Sequence, residues 1–434
     1  MPELQADRPS PPAPAPRPWL ARHLREPYVQ LLAAQLLTGG VAMAANVLMV
    51  RAMNPSGRGE VALMLQVVYL ATQVLLLGTE RSFVATYHEV APASGVKAYA
   101  RLLAVPAALC LTVAVLFPVV VPDRFDPGAG VVLLLAGYAI AEAGSLATRS
   151  IAVAAGRVHE FLIPRVIESA LLLVLLMALY AADVTNPAVW ILAYLVSGAL
   201  PTAAYVIRWL RLPAPGPVAG SGALNRHVRR EGLTLFPAAL SNMAMLRVDR
   251  LALPALASTS ALGLYAAVAT MTELLAWPLR AFADSRLGKW RAADRRGGLN
   301  ARPLVLAAAA YALVLAPLLA GGLYLLIVPV FGEAYAPAKA VVVPLVAAAG
   351  MYAVSRVCLG LLIARGHGTL VSAAEIAGFV VSFAAYLLLI PAHGIRGAAY
   401  GSLLGYGACL LFAMAAGWLA APRTAVQAEE ARVP

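Results

Sequence analysis

The sequence predicts an all-α integral membrane protein of twelve spanning helices, arranged as two six-helix halves. Three observations carry this prediction. Hydrophobic residues fill 61% of the 434 positions and charged residues only 12%, about half the charged share of a soluble domain, and mean hydropathy is +0.79. Apolar runs of spanning length recur along the whole chain. Lys and Arg swing from dense to sparse between one connection and the next.

A template of about 20 apolar residues finds spans at 28–50, 61–80, 98–121, 128–152, 163–182, 188–209, 233–254, 262–283, 303–328, 339–364, 370–390 and 397–420. Most connections are short, so neighbouring spans run antiparallel. The two long ones are 210–232, with "LPAPGPVAGSG", and 284–302, "DSRLGKWRAADRRGGLNAR". This divides the chain into a cytoplasmic N-terminal tail (1–27), a first lobe (28–210), a cytoplasmic linker (211–232), a second lobe (233–421) and a C-terminal tail (422–434). The first tail is Pro-rich and reads as disordered. It is not expected to be a cleaved signal, because the first apolar run is long enough to span.

Orientation follows from the basic residues. With both ends cytoplasmic, 25 of the 33 Lys and Arg fall on the inside and 5 on the outside, the latter being Arg51, Arg58, Arg124, Lys339 and Arg396. The remaining three lie within predicted spans. This one-sided placement accounts for the net charge of +12 through anionic lipid head groups, so nucleic acid is not an expected partner. The expected location is a plasma membrane.

The halves read as two copies of one unit. "VRAMNPSGRGEVAL" leaves span one as "DRLALPALASTSALGLYAA" leaves span seven, setting Arg51 against Arg250 and Gly59 near Gly263. Further on, "AVAAGRVHEFLIPRVIESALLLVLLMAL" matches "LLIARGHGTLVSAAEIAGFVVSFAAYLLLI", setting Gly156 against Gly366. An even number of spans per copy returns the chain to its starting side, so the repeat is parallel, with a cavity between the lobes.

These segments carry a resemblance. "RAMNPSGRGEVAL", "RVDRLALPALASTSALGLYAAVATMTELLAWPLRAF" and the late "IARGHGTLVSAAEIAGFVVSFAAYLLLIPAHGIRGAAYGSLLGYG" look like the corresponding parts of Wzx-type oligosaccharide flippases. Those belong to the MOP group together with the MATE exporters. The likeness runs from about 28 to 420 and is carried by the order and spacing of degenerate elements. It implies a two-lobed protein that moves undecaprenyl-diphosphate-linked oligosaccharide from the cytoplasmic to the outer leaflet. Membrane lipids and other proteins of polysaccharide biosynthesis are the implied partners. The related lipid II flippases carry arginines on the cavity face of the first span; residues 28–50 here contain no Arg or Lys, which departs from that branch.

The chemistry of such a task selects the candidate residues. A diphosphate needs fixed cations in place of water, and guanidinium matches phosphate bidentately. Arg247 and Arg250 share a face of span seven at i and i+3, with no other charge for ten residues on either side; their alternative role is a snorkelling anchor at the helix end. Arg356, flanked by at least seven uncharged residues on each side, is expected to face a cavity or an acidic partner such as Glu375. Asn46 and Trp277 are further candidate substrate contacts, Trp277 by stacking on sugar or, alternatively, by packing beside Pro278. Glu142, Glu168, Asp249, Glu273 and Glu375 are expected either to bind a coupling ion, H⁺ or Na⁺, or to neutralise an arginine.

Other chemistries lack their signatures. No phosphate-binding Gly-rich loop followed by Lys-Ser/Thr occurs, the six His have no metal-ligand spacing, and the three Cys sit within apolar runs. No enzyme activity and no cofactor are expected. Two alternatives remain beside the flippase. A MATE-like H⁺- or Na⁺-coupled exporter of cationic drugs predicts a cavity dominated by carboxylates, and a membrane glycan ligase predicts a long outer loop.

Overall fold

The computed structural model describes residues 27–87, 90–120, 128–212 and 221–419. The C-terminal tail, residues 1–26 of the N-terminal tail and the Pro- and Gly-rich stretch 213–220 lie outside them. Among the described residues there are helices and turns and no strand. The helices are α1 Pro27–Ala52, α2 Pro55–Leu76, α3 Thr79–Thr86, α4 Pro92–Val120, α5 Ala129–Ala154, α6 Val158–Ala181 and α7 Pro187–Leu210. They continue with α8 Ser221–Leu256, α9 Thr259–Thr272, α10 Trp277–Arg295, α11 Ala301–Leu326, α12 Val342–Ala364 and α13 Gly368–Leu419.

Eight helical stretches are long and apolar enough to cross a membrane, and α9 with α10, bent by 43°, would be a ninth. This falls short of twelve for physical reasons. In α13 two predicted spans join into one element of 52 residues, broken at Gly394 (φ 53, ψ −126). Its halves fold back on each other: Tyr386 Oη lies 2.9 Å from Ser402 Oγ, a pair about 24 Å apart along a straight helix. In α8, Arg226, Arg229, Arg230 and Glu231 occupy the first third, which packs by Ser82 and Tyr87 of the first half. Residues 221–232, expected as linker, are thus the start of a helix of 36 residues, longer than hydrocarbon alone requires.

The surface is that of a lipid-facing bundle. Leu313, Leu325, Leu388 and Leu411 are about 70% exposed or more, a display that water would penalise over so wide an area. Three buried clusters fill the interior. One draws on residues 45–228; the other two draw mainly on 245–416, with only Val50 and Ala62 contributed by the first half.

The repeat is visible in local geometry. Asn54 Oδ1 accepts the Gly57 amide at 2.8 Å and caps α2, while Ser258 Oγ accepts the Ala261 amide at 3.0 Å and caps α9; both residue types satisfy otherwise orphaned amides at a helix start. These caps stand 204 residues apart, as do Gly59 and Gly263. A Cβ at Gly59 would overlap the Thr259 carbonyl, and one at Gly263 would overlap that of Pro55. Adding 204 to one partner and subtracting it from the other exchanges these two contacts, the mark of an isologous, two-fold interface. Gly156 (φ 68) and Gly366 (φ 81) likewise end α5 and α12 in the same left-handed turn, a conformation that favours glycine. The pairing of Arg51 with Arg250 does not hold. By the same offset Asn46 is the counterpart of Arg250, while Arg51 donates to the carbonyls of Pro329 and Val330.

Candidate functional site

Between the two halves lies a cavity of about 300 Å³. Helices α1, α2, α5, α6 and α7 wall it on one side and α8, α9 and α10 on the other. On α2, Arg58, Gln66 and Tyr69 recur at i, i+8 and i+11, one helical stripe, and all three face this space. The wall holds four arginines (Arg58, Arg165, Arg247, Arg250) against three glutamates (Glu142, Glu168, Glu273).

The second-half wall is organised by Glu273. It sits in a 3-10 turn, Glu273–Leu275, where Pro278 offers no N–H to the Leu274 carbonyl four residues back and so interrupts the α-helical ladder. Its Oε1 receives Arg247 Nη1 at 3.1 Å and also Arg250 Nη2. Arg250 is only 7% exposed, whereas Arg247 is 25% exposed and lies 5.5 Å from the centre of the Tyr69 ring in the other half, a cation–π contact. Arg247 and Arg250 are therefore brought together as i, i+3 spacing predicts. Asp249 turns away: it accepts from Tyr265 Oη at 2.6 Å and from the Arg250 amide at 2.8 Å. Tyr265 in turn meets Ser402 at 3.0 Å.

Asn46 joins the halves directly. Its Nδ2 donates to the Ala267 carbonyl at 2.9 Å, and its Oδ1 accepts from Arg58 Nη2 at 2.8 Å. Arg58 Nη1 and Gln66 Oε1 are buried with no hydrogen-bond partner, so both retain capacity for a guest. Deeper along the cavity Arg165 Nη1 meets Glu168 at 2.7 Å. Glu142 faces the same space and has no ion-pair partner among the described residues. Trp277 lines the cavity with its ring laid against Gly39 of α1, so it packs across the halves rather than only beside Pro278.

Arg58 and Arg165 are cavity residues that sequence reasoning assigned to loops. α2 starts at Pro55, before its apolar window, so Arg58, counted as a flank, sits in a helical turn; Arg165 lies at the third position of the predicted span 163–182 and was nonetheless counted with the adjoining connection. Their signal was present: Tyr69 stands eleven residues after Arg58 on one stripe, and Glu168 three residues after Arg165.

Arg356 is placed elsewhere. It is absent from this wall and pairs with Glu375 at 3.0 Å between α12 and α13, with side chains 19% and 10% exposed. The cavity role expected for Arg356, and the coupling role of Glu375, give way to an ion pair, because both charges lie deep where each is the other's neutraliser. Replacing Arg356 by alanine is expected to remove the cation that faces Glu375 and lower stability by about 3 kcal/mol. Thermal unfolding of the purified protein measures this; replacing both residues by leucine should recover most of the loss.

No family model matches the sequence, and no curated protein matches it. Solved structures do. An inward-facing MATE family multidrug resistance transporter of the MOP superfamily superposes with a TM-score of 0.65 at 16% identity, over 92% of this chain and 96% of that one. The lipid II flippase MurJ, in an inward closed conformation, gives 0.65 at 10% identity, over 89% and 87%. An outward-facing MATE family transporter gives 0.55 at 16% identity, over 93% and 96%. The chain therefore has the MATE/MOP transporter fold, that of a multi-pass membrane protein.

Proposed function

We propose that the protein crosses a bacterial plasma membrane twelve times, in two six-helix lobes with both ends cytoplasmic. It flips undecaprenyl-diphosphate-linked oligosaccharide to the outer leaflet by alternating access between the lobes. The observation that carries this reading is the excess of arginine in the cavity wall, above all Arg58 with its unpartnered Nη1. A site dominated by carboxylates would favour export of cationic drugs; four arginines against three glutamates favour an anion.

The arginines are also spaced along the path. Arg165 lies about 10 Å from the start of α6 and Arg250 about 9 Å from the end of α8, ends that the charge bias assigns to opposite faces. A diphosphate passed between them stays near a guanidinium throughout. The cavity of about 300 Å³ is at the low end for ligand pockets, so admitting a glycan requires the lobes to part. Without a nucleotide loop, the drive is a gradient of H⁺ or Na⁺, or the membrane potential. Glu142 is the coupling carboxylate by elimination, since Glu168, Glu273 and Glu375 face arginines and Asp249 faces Tyr265.

Proteoliposomes holding fluorescent lipid-linked oligosaccharide test the reading. Arg58→Gln and Arg247→Ala should each slow leaflet exchange by about tenfold or more, the value of one charge-assisted hydrogen bond. Arg356→Ala should retain exchange per folded molecule, and Glu142→Gln should make it insensitive to the imposed gradient. Unchanged exchange in both cavity variants would exclude the anion site, and uptake of a cationic dye instead would establish the exporter.

A further inference from the structure

Sharing no residue with the central cavity, a second crevice of about 660 Å³ opens between α11, α12 and the end of α13. Its lining is divided by chemistry. Arg302 and Arg365 stand together toward one end, where α12 finishes and α11 begins, while Val305, Leu362 and Met414 form apolar wall. Trp418 borders it and is 87% exposed; an outward aromatic beside arginines is what the head-group level of a bilayer selects. The charge bias assigns this end to the cytoplasmic face.

The charge of Arg302 is not spent on another described residue, and that of Arg365 only through long contacts. Arg302 forms no ion pair with another described residue. Arg365 donates from Nη1 to the Gly417 carbonyl at 3.2 Å, and its Nε, without a hydrogen bond, forms a long ion pair of 3.9 Å with Asp294, which is outside the lining. The match of Gly156 with Gly366 puts Ala155 opposite Arg365, so this arginine belongs to one half alone.

We infer that this crevice is a binding site for an anionic phospholipid, with the head-group phosphate between Arg302 and Arg365 and acyl chain along Val305, Leu306 and Met414. Basic pockets between helices at the cytoplasmic level are suited to such lipids, and the apolar wall distinguishes a lipid from free phosphate. The site is independent of what the central cavity carries.

Native mass spectrometry of the full chain in detergent, titrated with phosphatidylglycerol or phosphatidylcholine of identical chains, tests the inference. The wild type should retain phosphatidylglycerol at about tenfold lower concentration. Arg302→Gln, at an exposed position that folding does not require, should reduce that preference, and the double change with Arg365→Gln should abolish it. Lysine at both positions should keep it. Val305→Trp, at a partly buried lining position, should displace both lipids by filling the wall, and millimolar inorganic phosphate should displace neither. Equal retention of the two lipids by the wild type, or a preference that survives the double glutamine change, overturns the site. Displacement by inorganic phosphate would reduce it to a plain anion site and likewise overturns it.

Discussion

Glu273→Ala is expected to destabilise the protein more than removal of either arginine it serves. One carboxylate oxygen holds both Arg247 and Arg250. Arg250 is 7% exposed, its Nε has no acceptor, and its guanidinium has no other described carboxylate as an ion-pair partner. Taking Glu273 away leaves a buried cation uncompensated, a loss on the order of 3 kcal/mol. Arg247 keeps the Tyr69 ring and access to the cavity, so Arg247→Ala should cost about 1 kcal/mol. Chemical denaturation of the purified protein distinguishes the two. Pairing Glu273→Leu with Arg250→Leu should recover most of the loss, a coupling that a double-mutant cycle isolates. Equal stability of Glu273→Ala and wild type would mean that cavity water solvates Arg250, and the pair would then contribute nothing.

Gly59→Val should hold the α2–α9 end of the molecule open. The atoms a new side chain meets at Gly59 and Gly263 are the Thr259 and Pro55 carbonyls, and backbone in capped helix starts cannot rotate aside as a side chain can. The helices must separate, and the cavity behind them opens to that face. In a cysteine-free background, Gln66→Cys in the cavity wall should react with an impermeant thiol reagent about tenfold faster once Gly59→Val is added, a bias of roughly 1.4 kcal/mol. Gly263→Val should act alike, because the contact is two-fold. Gly40→Ala, where an added Cβ meets nothing within 4 Å, should leave the rate alone. A rate indifferent to both valines would show that access runs elsewhere.

Where the sequence was legible, the physics was local. Hydropathy locates helices because burying backbone in lipid demands them. The caps at Asn54 and Ser258 and the turns at Gly156 and Gly366 rest on residue types that few alternatives replace. Charges were harder. A hydropathy window scores transfer into lipid, yet Arg58 and Arg165 face a cavity, so Arg58 reads as a loop residue and Arg165, at the edge of the span 163–182, as a flanking charge, although they lie within α2 and α6. An isolated arginine such as Arg356 allowed two outcomes, a cavity or a carboxylate. Only the packing of α13 against α12 decides for Glu375. The repeat was visible through its glycines, but Arg51 was matched to Arg250 because similar residues align more readily than equivalent positions with different ones.

The cavity's polar groups are also the ties between the halves. Arg247 reaches Tyr69 across the boundary, and Asn46, which holds Arg58, donates to the Ala267 carbonyl opposite. An anion of the proposed kind that draws Arg247 to itself competes with the Tyr69 contact, so its binding and separation of the halves would share one coupling free energy. That coupling is reciprocal: whatever tightens the join between the halves weakens the anion's hold by the same factor.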